Sequence, residues 1–257
     1  MTTIVKISGK PIADPANAAQ LWCDLSAATH TVLVHGGGKQ VDRLFARLSI
    51  PVERKDGIRL TSEADMPLVA AVLAGEVNQS LVALLRAAGA YAVGLSLASA
   101  GTVTAEVDPG IGGRVGRVTG GDASTLRTLL DAGALPVVAS IAADESGGLL
   151  NINADDAAAG IGRALHATRV VLLTDVAGVL DHAGNTIASL DESSIEEHIT
   201  TNTITGGMIA KVRSALSIAH SAHQGVLIAS WRDAQRAIAG DATVGTLVSS
   251  VHTETPS

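Results

Sequence analysis

The sequence lacks the cysteines that a disulfide framework or a cysteine-rich metal site would need. Cys23 is the only cysteine among 257 residues, which excludes an internal disulfide. Positive charge is also scarce, because 18 Lys and Arg residues stand against 25 Asp and Glu residues and give a formal net charge of −7. This balance argues against a general nucleic-acid partner. It also requires that any anionic substrate be met by lysines or arginines placed at the site itself.

Long uncharged apolar runs are missing as well. Stretches such as VALLRAAGAYAVGLSLASAG are interrupted by Arg86 and by glycines, well short of the roughly 18 uncharged residues of a membrane-spanning helix. The N-terminus has no basic segment followed by an apolar one, which a secretory signal would need. We therefore expect a soluble, cytoplasmic protein with no membrane or nucleic-acid partner.

What the sequence does contain is a regular alternation of short Val/Ile/Leu runs with longer Ala/Leu/Arg segments. At 257 residues and 47% hydrophobic content, the chain can bury a substantial core as one large domain or as two lobes. The apolar runs are TIVKIS, TVLVHG, YAVGLSL, LPVVASI and RVVLLTD, and such continuous runs are typical of parallel strands buried on both faces. The helix-like segments are residues 15 to 28, 38 to 48, 63 to 88, 123 to 132, 154 to 166 and 207 to 223. The alternation predicts an α/β fold, a three-layer αβα sandwich around a mostly parallel sheet.

Residues 101 to 120, GTVTAEVDPGIGGRVGRVTG, break this pattern. Their alternating apolar residues and glycines predict antiparallel hairpins, which we expect to form a flap at the edge of the sheet. Such a flap could close over a substrate, or the glycines could serve only as ordinary hairpin turns.

Three consecutive glycines end the second apolar run, in TVLVHGGGKQVDRL, residues 31 to 44. Gly36, Gly37 and Gly38 can bring backbone N–H groups close to an anion, and the helix that begins near Gly38 adds the positive end of its dipole. The motif is neither a Walker loop nor a dinucleotide fingerprint, because Gln40 and Val41 stand where those motifs need other residues. It indicates either an anion site or only a tight turn between strand and helix.

Lys6 interrupts the first apolar run, in TTIVKISGK, and is followed by Ser8 and Gly9. A lysine inside an apolar central strand is costly to bury unless a counter-ion is present. One interpretation is an edge strand whose lysine reaches solvent. The other is a cation directed at a phosphoryl group, since phosphoryl transfer depends mainly on positioning and charge neutralisation.

Polar residues precede the Ala-rich helix in GGLLNINADDAAAGIGRAL. Asn151 and Asn153 flank one residue, so an extended segment would place both side chains on the same side. Either Asn153 or Asp155 could cap the helix, which would explain one of these residues. Asp155 could instead hold nearby ammonium groups in place.

Three other positions are ambiguous when taken singly. Lys211 lies one turn into a helix opened by Gly206 and Gly207, and a lysine on a helix surface is usually solvated. Asp175 could simply end the RVVLLTD strand at a turn. His35, beside the glycines, could tune their loop through a hydrogen bond or pack in the core.

Together these elements resemble the N-acetylglutamate kinases of the amino acid kinase superfamily, over nearly the whole chain. The matching segments, in family order, are IVKISG, VHGGGKQVD, DGIRLT, LAGEVNQSLV, GGRVGRV, LPVVASIA, LLNINADDAA, LLTDVAGVL, GGMIAKV and IASWR. The resemblance implies the amino acid kinase fold, with an N-terminal lobe (1–165) for the acylated amino acid and a C-terminal lobe (166–257) for ATP. In IASWR, we expect Trp231 to pack rather than to contact nucleotide.

The resemblance also implies a role for each site residue. Lys6 and Lys211 match the two cations that neutralise the phosphoryl group in transit, and Asp155 matches the aspartate that orients both. Gly9 and Gly37 match the N–H donors that face the phosphates.

Substrate and nucleotide contacts are implied in the same way. Arg59 matches the arginine that clamps the substrate α-carboxylate, a bidentate task for which lysine would be a poor replacement. Asn151 matches a substrate-binding asparagine, and Gly37 and Gly38 would hold the γ-carboxylate. The residues implied for the nucleotide are Lys6, Ser8, Gly9, Asp175, Thr205, Gly206, Gly207, Met208 and Lys211.

The implied activity is N-acetyl-L-glutamate 5-kinase, the second step of arginine biosynthesis. An ionised carboxylate would attack ATP, with Mg²⁺ carried by the nucleotide and no metal held by the protein, and it would need no general base. A related kinase acting on a carrier-protein-linked aminoadipate or glutamate is the alternative. A non-catalytic homologue would be expected to lose some of Lys6, Asp155 and Lys211, and all three are present.

One position departs from the family pattern, and one feature bears on assembly. Ser8 stands where the family usually has glycine, although the superfamily's uridylate kinases also have serine there. Arginine-inhibited relatives carry an extra helix before the first strand. In this sequence the first strand begins at about Thr3, which leaves no room for that helix. We therefore expect a homodimer that is insensitive to arginine.

Overall fold

The computed structural model describes residues 1–55, 57–222 and 225–250, and the structural statements below concern these residues. The last residue of the predicted helix 207 to 223 lies outside them. The strands are β1 (Thr3–Ile7), β2 (Thr31–His35), β3 (Arg54–Lys55), β4 (Ile58–Arg59), β5 (Ala92–Ser96), β6 (Thr104–Val107), β7 (Val115–Gly120), β8 (Leu135–Ala139), β9 (Ile141–Ala143), β10 (Leu149–Ile152), β11 (Arg169–Thr174), β12 (Ser189–Leu190), β13 (Val226–Ser230) and β14 (Gly245–Val248).

Ten α-helices occur in the described part of the chain. They are α1 (Lys10–Ala13), α2 (Ala19–Ser26), α3 (Gly38–Arg47), α4 (Met66–Ala70), α5 (Asn78–Ala87), α6 (Ser124–Asp131), α7 (Ala154–Leu165), α8 (Glu192–Thr200), α9 (Gly207–Ala222) and α10 (Ala234–Ala239). Short 3₁₀ turns span Pro15–Ala18, Ser99–Gly101, Trp231–Asp233 and Ala242–Val244, and a π-helical segment spans Ala71–Val77.

The main sheet has eight strands in the order β12-β14-β13-β11-β1-β2-β8-β5. All five predicted strands belong to it and pair in parallel, which confirms the predicted mostly parallel sheet. β14 runs antiparallel to β13 at the far side. β1 lies between β2 and β11, with Lys6 opposite Val34 and Leu172, so the edge-strand interpretation of Lys6 is wrong.

Helices cover both faces of this sheet, because successive side chains of each buried strand point to opposite sides. One core cluster joins Ile4 of β1 and Val34 of β2 to the apolar faces of α6, α7 and α9. The other joins Val5 and Leu33 to α2, to α3, to the Met66–Ala87 run and to α10. These two cores confirm the three-layer αβα sandwich.

The 101–120 segment forms the antiparallel β6–β7 hairpin, as predicted, but its place in the fold differs from the expectation. It belongs to a second sheet with the order β6-β7-β10-β9, rather than to the edge of the main sheet. β7 pairs in parallel with β10, so the hairpin is joined to the strand that leads into α7. The hairpin is thereby connected to the NINAD segment.

One helical run, Met66–Ala87, is long and apolar enough by length and composition to cross a membrane. It consists of α4, the π-helical segment and α5 in continuous succession. Its Val69, Leu73 and Leu81 side chains are buried in the second core, as in a core helix of a globular protein. Core packing therefore accounts for the buried apolar residues of this run, and 39% of its apolar 18-residue window is buried.

Candidate active site

The predicted site residues gather at the carboxyl ends of the central parallel strands, where open α/β sheets bind ligands. Ser8 and Gly9 follow β1, the three glycines follow β2, and Asp175 follows β11. The N-terminus of α7 reaches the same edge from one face, since a Cβ added to Gly36 would lie 3.4 Å from the Ala154 Cβ.

A buried ion pair lies at the centre of this edge. Lys6 Nζ is 2.7 Å from Asp155 Oδ1, and the two side chains are only 9% and 16% exposed. Lys6 Nζ also donates to Ser8 Oγ at 3.2 Å. Asn153 is the N-cap of α7, since its Oδ1 accepts from the Asp155 backbone N–H at 3.0 Å. The capping role therefore belongs to Asn153, and the Asp155 carboxylate is left to pair with Lys6.

Lys211, in the second turn of α9, belongs to the same electrostatic cluster. Burial, and then the positive charge of Lys6, lower the pKa of Lys211, whereas Asp155 and Asp175 act to raise it. The lysine is only half-exposed, so the interpretation as a solvated surface lysine is wrong. Two cations and two carboxylates, contributed by both halves of the chain, thus act on one another at this edge.

Asp175 is fixed by contacts on two sides. Its Oδ1 accepts from Trp231 Nε1 at 3.2 Å, and Trp231 is itself buried against the second core. A Cβ added to Gly9 would lie 3.0 Å from Asp175 Oδ2, and Gly9 has a φ of +79°. Both the close approach and the backbone conformation therefore favour glycine at position 9. Trp231 packs, as expected, but it also orients Asp175, which the sequence did not indicate.

A pocket of about 310 Å³ opens beside the glycine loop. Its lining residues are Ser8, Gly36, Gly37, Gly38, Val41, Arg54, Gly57, Ile58, Arg59, Val69, Leu73, Ser140, Asn151, Ile152, Asn153 and Ala154. Asn151 and Asn153 thus share one side, as predicted. Gly37 lies against the Met66–Ala87 run, since a Cβ there would be 2.7 Å from Leu73 Cδ2. The pocket combines backbone groups, two amides and two guanidinium groups, a donor set suited to an anion.

His35 supports the glycine loop through a hydrogen bond to the Gly36 carbonyl oxygen. The His35 ring is fully buried, and burial lowers its pKa to about 4, so it is neutral at pH 7. Its Nδ1 lies 2.9 Å from the Gly36 carbonyl oxygen, which requires a proton on Nδ1. Its Nε2 then accepts from Asn78 Nδ2 at 2.9 Å. His35 is therefore both a core residue and a hydrogen-bonding support of the loop.

Arg59 lines the pocket with a side chain that is only 6% exposed. Its Nη2 donates to Gly38 O at 3.0 Å and to Asp42 Oδ1 at 2.5 Å. Burial raises the pKa of the Asp42 carboxyl, but the hydrogen bonds and charges of Arg59 and Arg54 outweigh it and hold that pKa below its ordinary value. Asp42 is thus ionised at neutral pH.

Thr61 links Arg59 to Asn151. Its hydroxyl donates to the Arg59 carbonyl oxygen at 3.2 Å and accepts from Asn151 Nδ2 at 3.1 Å. The Thr61 carbonyl oxygen also accepts from the Arg114 backbone N–H at 2.8 Å, which attaches the β6–β7 hairpin to the pocket wall.

The predicted residues therefore fall into three groups. Ser8, Gly37, Gly38, Arg59 and Asn151 line the pocket. Lys6, Asp155, Lys211 and Asp175 form the charged cluster at the ends of the strands, and Gly9 lies against Asp175. Thr205, Gly206, Gly207 and Met208 stand at the start of α9 and do not belong to the lining of that pocket.

Sequence reasoning missed several residues of the site. Asp42 lies inside the VHGGGKQVD segment, one helical turn after Gly38, and that spacing was the available signal. Arg54 and Asn78 have no comparable local signal, because their partners come from other elements.

A parallel α/β sheet that brings two lysines and a carboxylate beside an arginine-lined pocket is typical of small-molecule phosphotransferases. Residues 1–230 match the model of the Amino acid kinase family. The acetylglutamate kinase of Vibrio vulnificus (strain CMCP6) is 40% identical over 235 residues, which cover 89% of each chain. The chloroplastic acetylglutamate kinase of Arabidopsis thaliana is 40% identical over 244 residues, 91% of this chain and 70% of its own.

A solved structure, that of smu.665 from Streptococcus mutans UA159, superposes on this fold with a TM-score of 0.75 at 30% identity. It covers 97% of this chain and 99% of its own. The chain belongs to the amino acid kinase family, and within it to the acetylglutamate kinases.

Proposed function

We propose that this protein is an N-acetyl-L-glutamate 5-kinase, which transfers the γ-phosphoryl group of ATP to the γ-carboxylate of N-acetyl-L-glutamate. The products are N-acetylglutamyl 5-phosphate and ADP, in the second step of arginine biosynthesis. The observation that carries the proposal is the buried Lys6–Asp155 ion pair, which lies beside a pocket walled by the buried Arg59 guanidinium. The relatives at 40% identity are acetylglutamate kinases and do not favour the carrier-linked alternative.

The lysines would neutralise charge as the phosphoryl group moves between two oxygens. Lys6 and Lys211 would supply the positive charges, with Asp155 paired to Lys6 and its charge also acting on Lys211. Preorganised charges of this kind stabilise a transition state more than they stabilise the substrates, because they need no reorganisation during the reaction. Ser8 accepts from Lys6 and thereby restricts its ammonium group further.

The acceptor would lie in the 310 Å³ pocket. Arg59 would bind the α-carboxylate, Asn151 would donate to the acylated substrate, and the Gly37–Gly38 segment would face the γ-carboxylate. This carboxylate is ionised at neutral pH, so no residue needs to act as a general base. The pocket lining lies entirely between Ser8 and Ala154, which supports assigning the acylated amino acid to the N-terminal lobe, 1–165.

The nucleotide would bind on the C-terminal lobe, 166–257, where Asp175 and the start of α9 stand next to the lysines. Helix N-termini favour phosphate, because their first N–H groups have no intrahelical partner. We assign the nucleotide to Lys6, Ser8, Gly9, Asp175, Thr205, Gly206, Gly207, Met208 and Lys211. When bound, Mg²⁺ would arrive on the ATP phosphates and add charge neutralisation.

The proposal is tested by an acceptor panel with Mg-ATP and hydroxylamine, which traps acyl phosphates as hydroxamates. N-acetyl-L-glutamate, free glutamate, N-acetylaspartate and UMP are compared in parallel, with ADP release as a second readout. We expect hydroxamate with N-acetyl-L-glutamate only. ADP release without hydroxamate, or a preference for another acceptor, would overturn the proposed function.

We further propose a cytoplasmic homodimer. β5 is an edge strand of the main sheet, and its Val93–Ser96 portion is only half-buried, so its free edge can pair with a second copy. Sedimentation equilibrium is expected to give twice the chain mass, and a monomer mass would contradict the dimer. Recovery in the membrane fraction of cells would contradict the location.

A further inference from the structure

The β3–β4 hairpin forms one wall of the substrate pocket and carries two arginines directly opposite each other. Arg54 pairs with Arg59 in the strand register. Like charges at directly opposed positions of an antiparallel pair repel, and a hairpin with two residues per strand has few other contacts to resist this. A third group must therefore compensate the two charges.

Asp42 on α3 is that group. Its Oδ1 accepts from Arg59 Nη2 at 2.5 Å and from Arg54 Nη2 at 3.0 Å, and its Oδ2 accepts from Arg54 Nη2 at 2.9 Å. One carboxylate thus joins both arginines to the helix that begins at the glycine loop. The group formed by Arg54, Arg59 and Asp42 carries two positive charges and one negative charge, and its single net positive charge matches one substrate carboxylate.

The hydrogen bonds of Arg59 within the described residues involve Nη2 and leave the buried Nη1 without a partner. Nη2 is used by Gly38 O and Asp42, and the guanidinium group lies 5.2 Å from the centroid of the Phe45 ring. Nη1 is buried and has no hydrogen-bond partner within the described ranges. Burying a charged donor without an acceptor is costly, so a ligand that supplies an acceptor there gains the full hydrogen bond.

We propose that Asp42 is a positioning residue for substrate recognition. Its carboxylate cancels the repulsion between Arg59 and Arg54, and it fixes Arg59 so that Nη1 of Arg59 meets the substrate carboxylate. This inference rests on the proposed function for the identity of the substrate. Asp42 itself does not touch the reacting atoms. It acts through Arg59, and its removal should weaken acceptor binding and not the transfer step.

The test compares Asp42→Asn with Glu76→Gln in steady-state kinetics. Glu76 pairs at 2.9 Å with Arg43, which follows Asp42 in the chain, and the side chains of Glu76 and Arg43 are both more than half exposed. Glu76→Gln therefore removes an equal negative charge close to Asp42. For Asp42→Asn we expect the KM for N-acetyl-L-glutamate to rise at least about tenfold, with kcat changed less than about threefold and the KM for ATP unchanged. Glu76→Gln should stay within about twofold on all three, as exposed ion pairs contribute little.

Two more variants separate positioning from a general structural role. Asp42→Glu keeps the charge and should recover part of the acceptor KM. Asp42→Asn/Arg54→Gln relieves the repulsion and should also have a lower acceptor KM than Asp42→Asn alone. The proposal would be overturned if Asp42→Asn lowered kcat at a constant acceptor KM, or if it left the acceptor KM unchanged. It would also be overturned if Glu76→Gln had effects equal to those of Asp42→Asn.

An activity-independent measurement distinguishes this inference from the proposed function. Amide hydrogen exchange at residues 57–60 should be faster in Asp42→Asn than in the unsubstituted protein, because the hairpin loses its attachment to α3. Unchanged exchange would overturn the positioning role even if acetylglutamate were not the acceptor. If the unsubstituted protein did not turn over N-acetyl-L-glutamate but Asp42→Asn still exchanged faster, only the proposed function would be overturned.

Discussion

At the scale of single residues, burial decides which charges of this molecule need a fixed partner. Lys6 and Asp155 are both largely buried and pair with each other, so removing either would leave an uncompensated charge that costs about 3–5 kcal/mol. Asp156, the next residue, has no ion-pair partner among the residues that the structure describes. Burial, and then the nearby charges of Asp155 and Asp108, raise the pKa of Asp156 to about 6 despite the opposing effect of Arg163 and Lys6.

His35 and Asp156 should affect the pH dependence of stability in opposite directions. The pKa of His35 is lowered to about 4, so the unfolded chain binds its proton first, and stability falls as the pH drops from about 6.5 to 4. The pKa of Asp156 is raised to about 6, so the folded protein binds its proton first, and stability rises as the pH drops from about 6. Each contribution amounts to about 3 kcal/mol and the two largely cancel.

Asp156→Asn should remove this cancellation. We predict a higher free energy of unfolding than the unsubstituted protein at pH 7, and a steep loss of stability between pH 6 and 4, measured by urea unfolding at each pH. His35→Gln should do the reverse and gain stability on acidification. A pH profile of Asp156→Asn that runs parallel to that of the unsubstituted protein would contradict the assignment.

At the scale of elements, the β6–β7 hairpin is joined through Thr61 to the pocket beside the glycine loop. Gly113 lies in the turn of this hairpin with a φ of +62°, and a Cβ there would lie 2.6 Å from the Thr61 carbonyl oxygen. Gly112, its neighbour, has a φ of +82°, and a Cβ added to it would meet nothing within 4 Å. The two glycines share the backbone requirement and differ in the space around them.

Gly113→Ala should therefore destabilise the protein more than Gly112→Ala. Both variants pay about 1–2 kcal/mol for a non-glycine residue at positive φ. Only Gly113→Ala must also displace the Thr61 carbonyl oxygen, which accepts from the Arg114 backbone N–H. The Thr61 hydroxyl links Asn151 to Arg59, so a shift of Thr61 should raise the acceptor KM as well. Thermal unfolding and steady-state kinetics of the matched pair check this, and equal destabilisation with unchanged KM would contradict the docking of the hairpin at Thr61.

Predictability from the sequence also differs by element. The five continuous apolar runs and the long amphipathic helices could be predicted, because a strand buried on both faces leaves a clear pattern. The β3–β4 hairpin and the short strands β12 and β14 could not, since two to four residues carry no periodicity. α8 was missed because its polar sequence has little apolar repeat, although Asp191 and Ser194 form a capping box at its start.

The site residues could likewise be predicted only where the local sequence carries a pattern. Lys6, Asp155, Arg59 and Asn151 were predicted because each stands at a strand end or in a recognisable motif. His35 was expected to support the loop or to pack in the core, but its distant partner Asn78 could not be predicted. The partners of Asp42 and Trp231, which are Arg59 and Asp175, are also distant in the chain and leave no local pattern.

At the scale of the whole molecule, one sheet connects the two halves of the chain that supply the charged cluster. Lys6 comes from the first half of the chain, and Asp155, Asp175 and Lys211 come from the second. The lowering of the pKa of Lys211 by Lys6 reflects their proximity across the sheet edge. Phosphoryl transfer should therefore need both lysines, since neither half alone supplies the charge.

The most direct test of this account is kcat for hydroxamate formation from N-acetyl-L-glutamate in Lys6→Met. Lys39→Met serves as the matched control, because Lys39 is an exposed lysine in the first turn of α3. We predict a loss of at least about a hundredfold in kcat for Lys6→Met, with a folded protein and a control within about twofold. Full activity in Lys6→Met would contradict the claim that charge neutralisation by Lys6 drives the transfer.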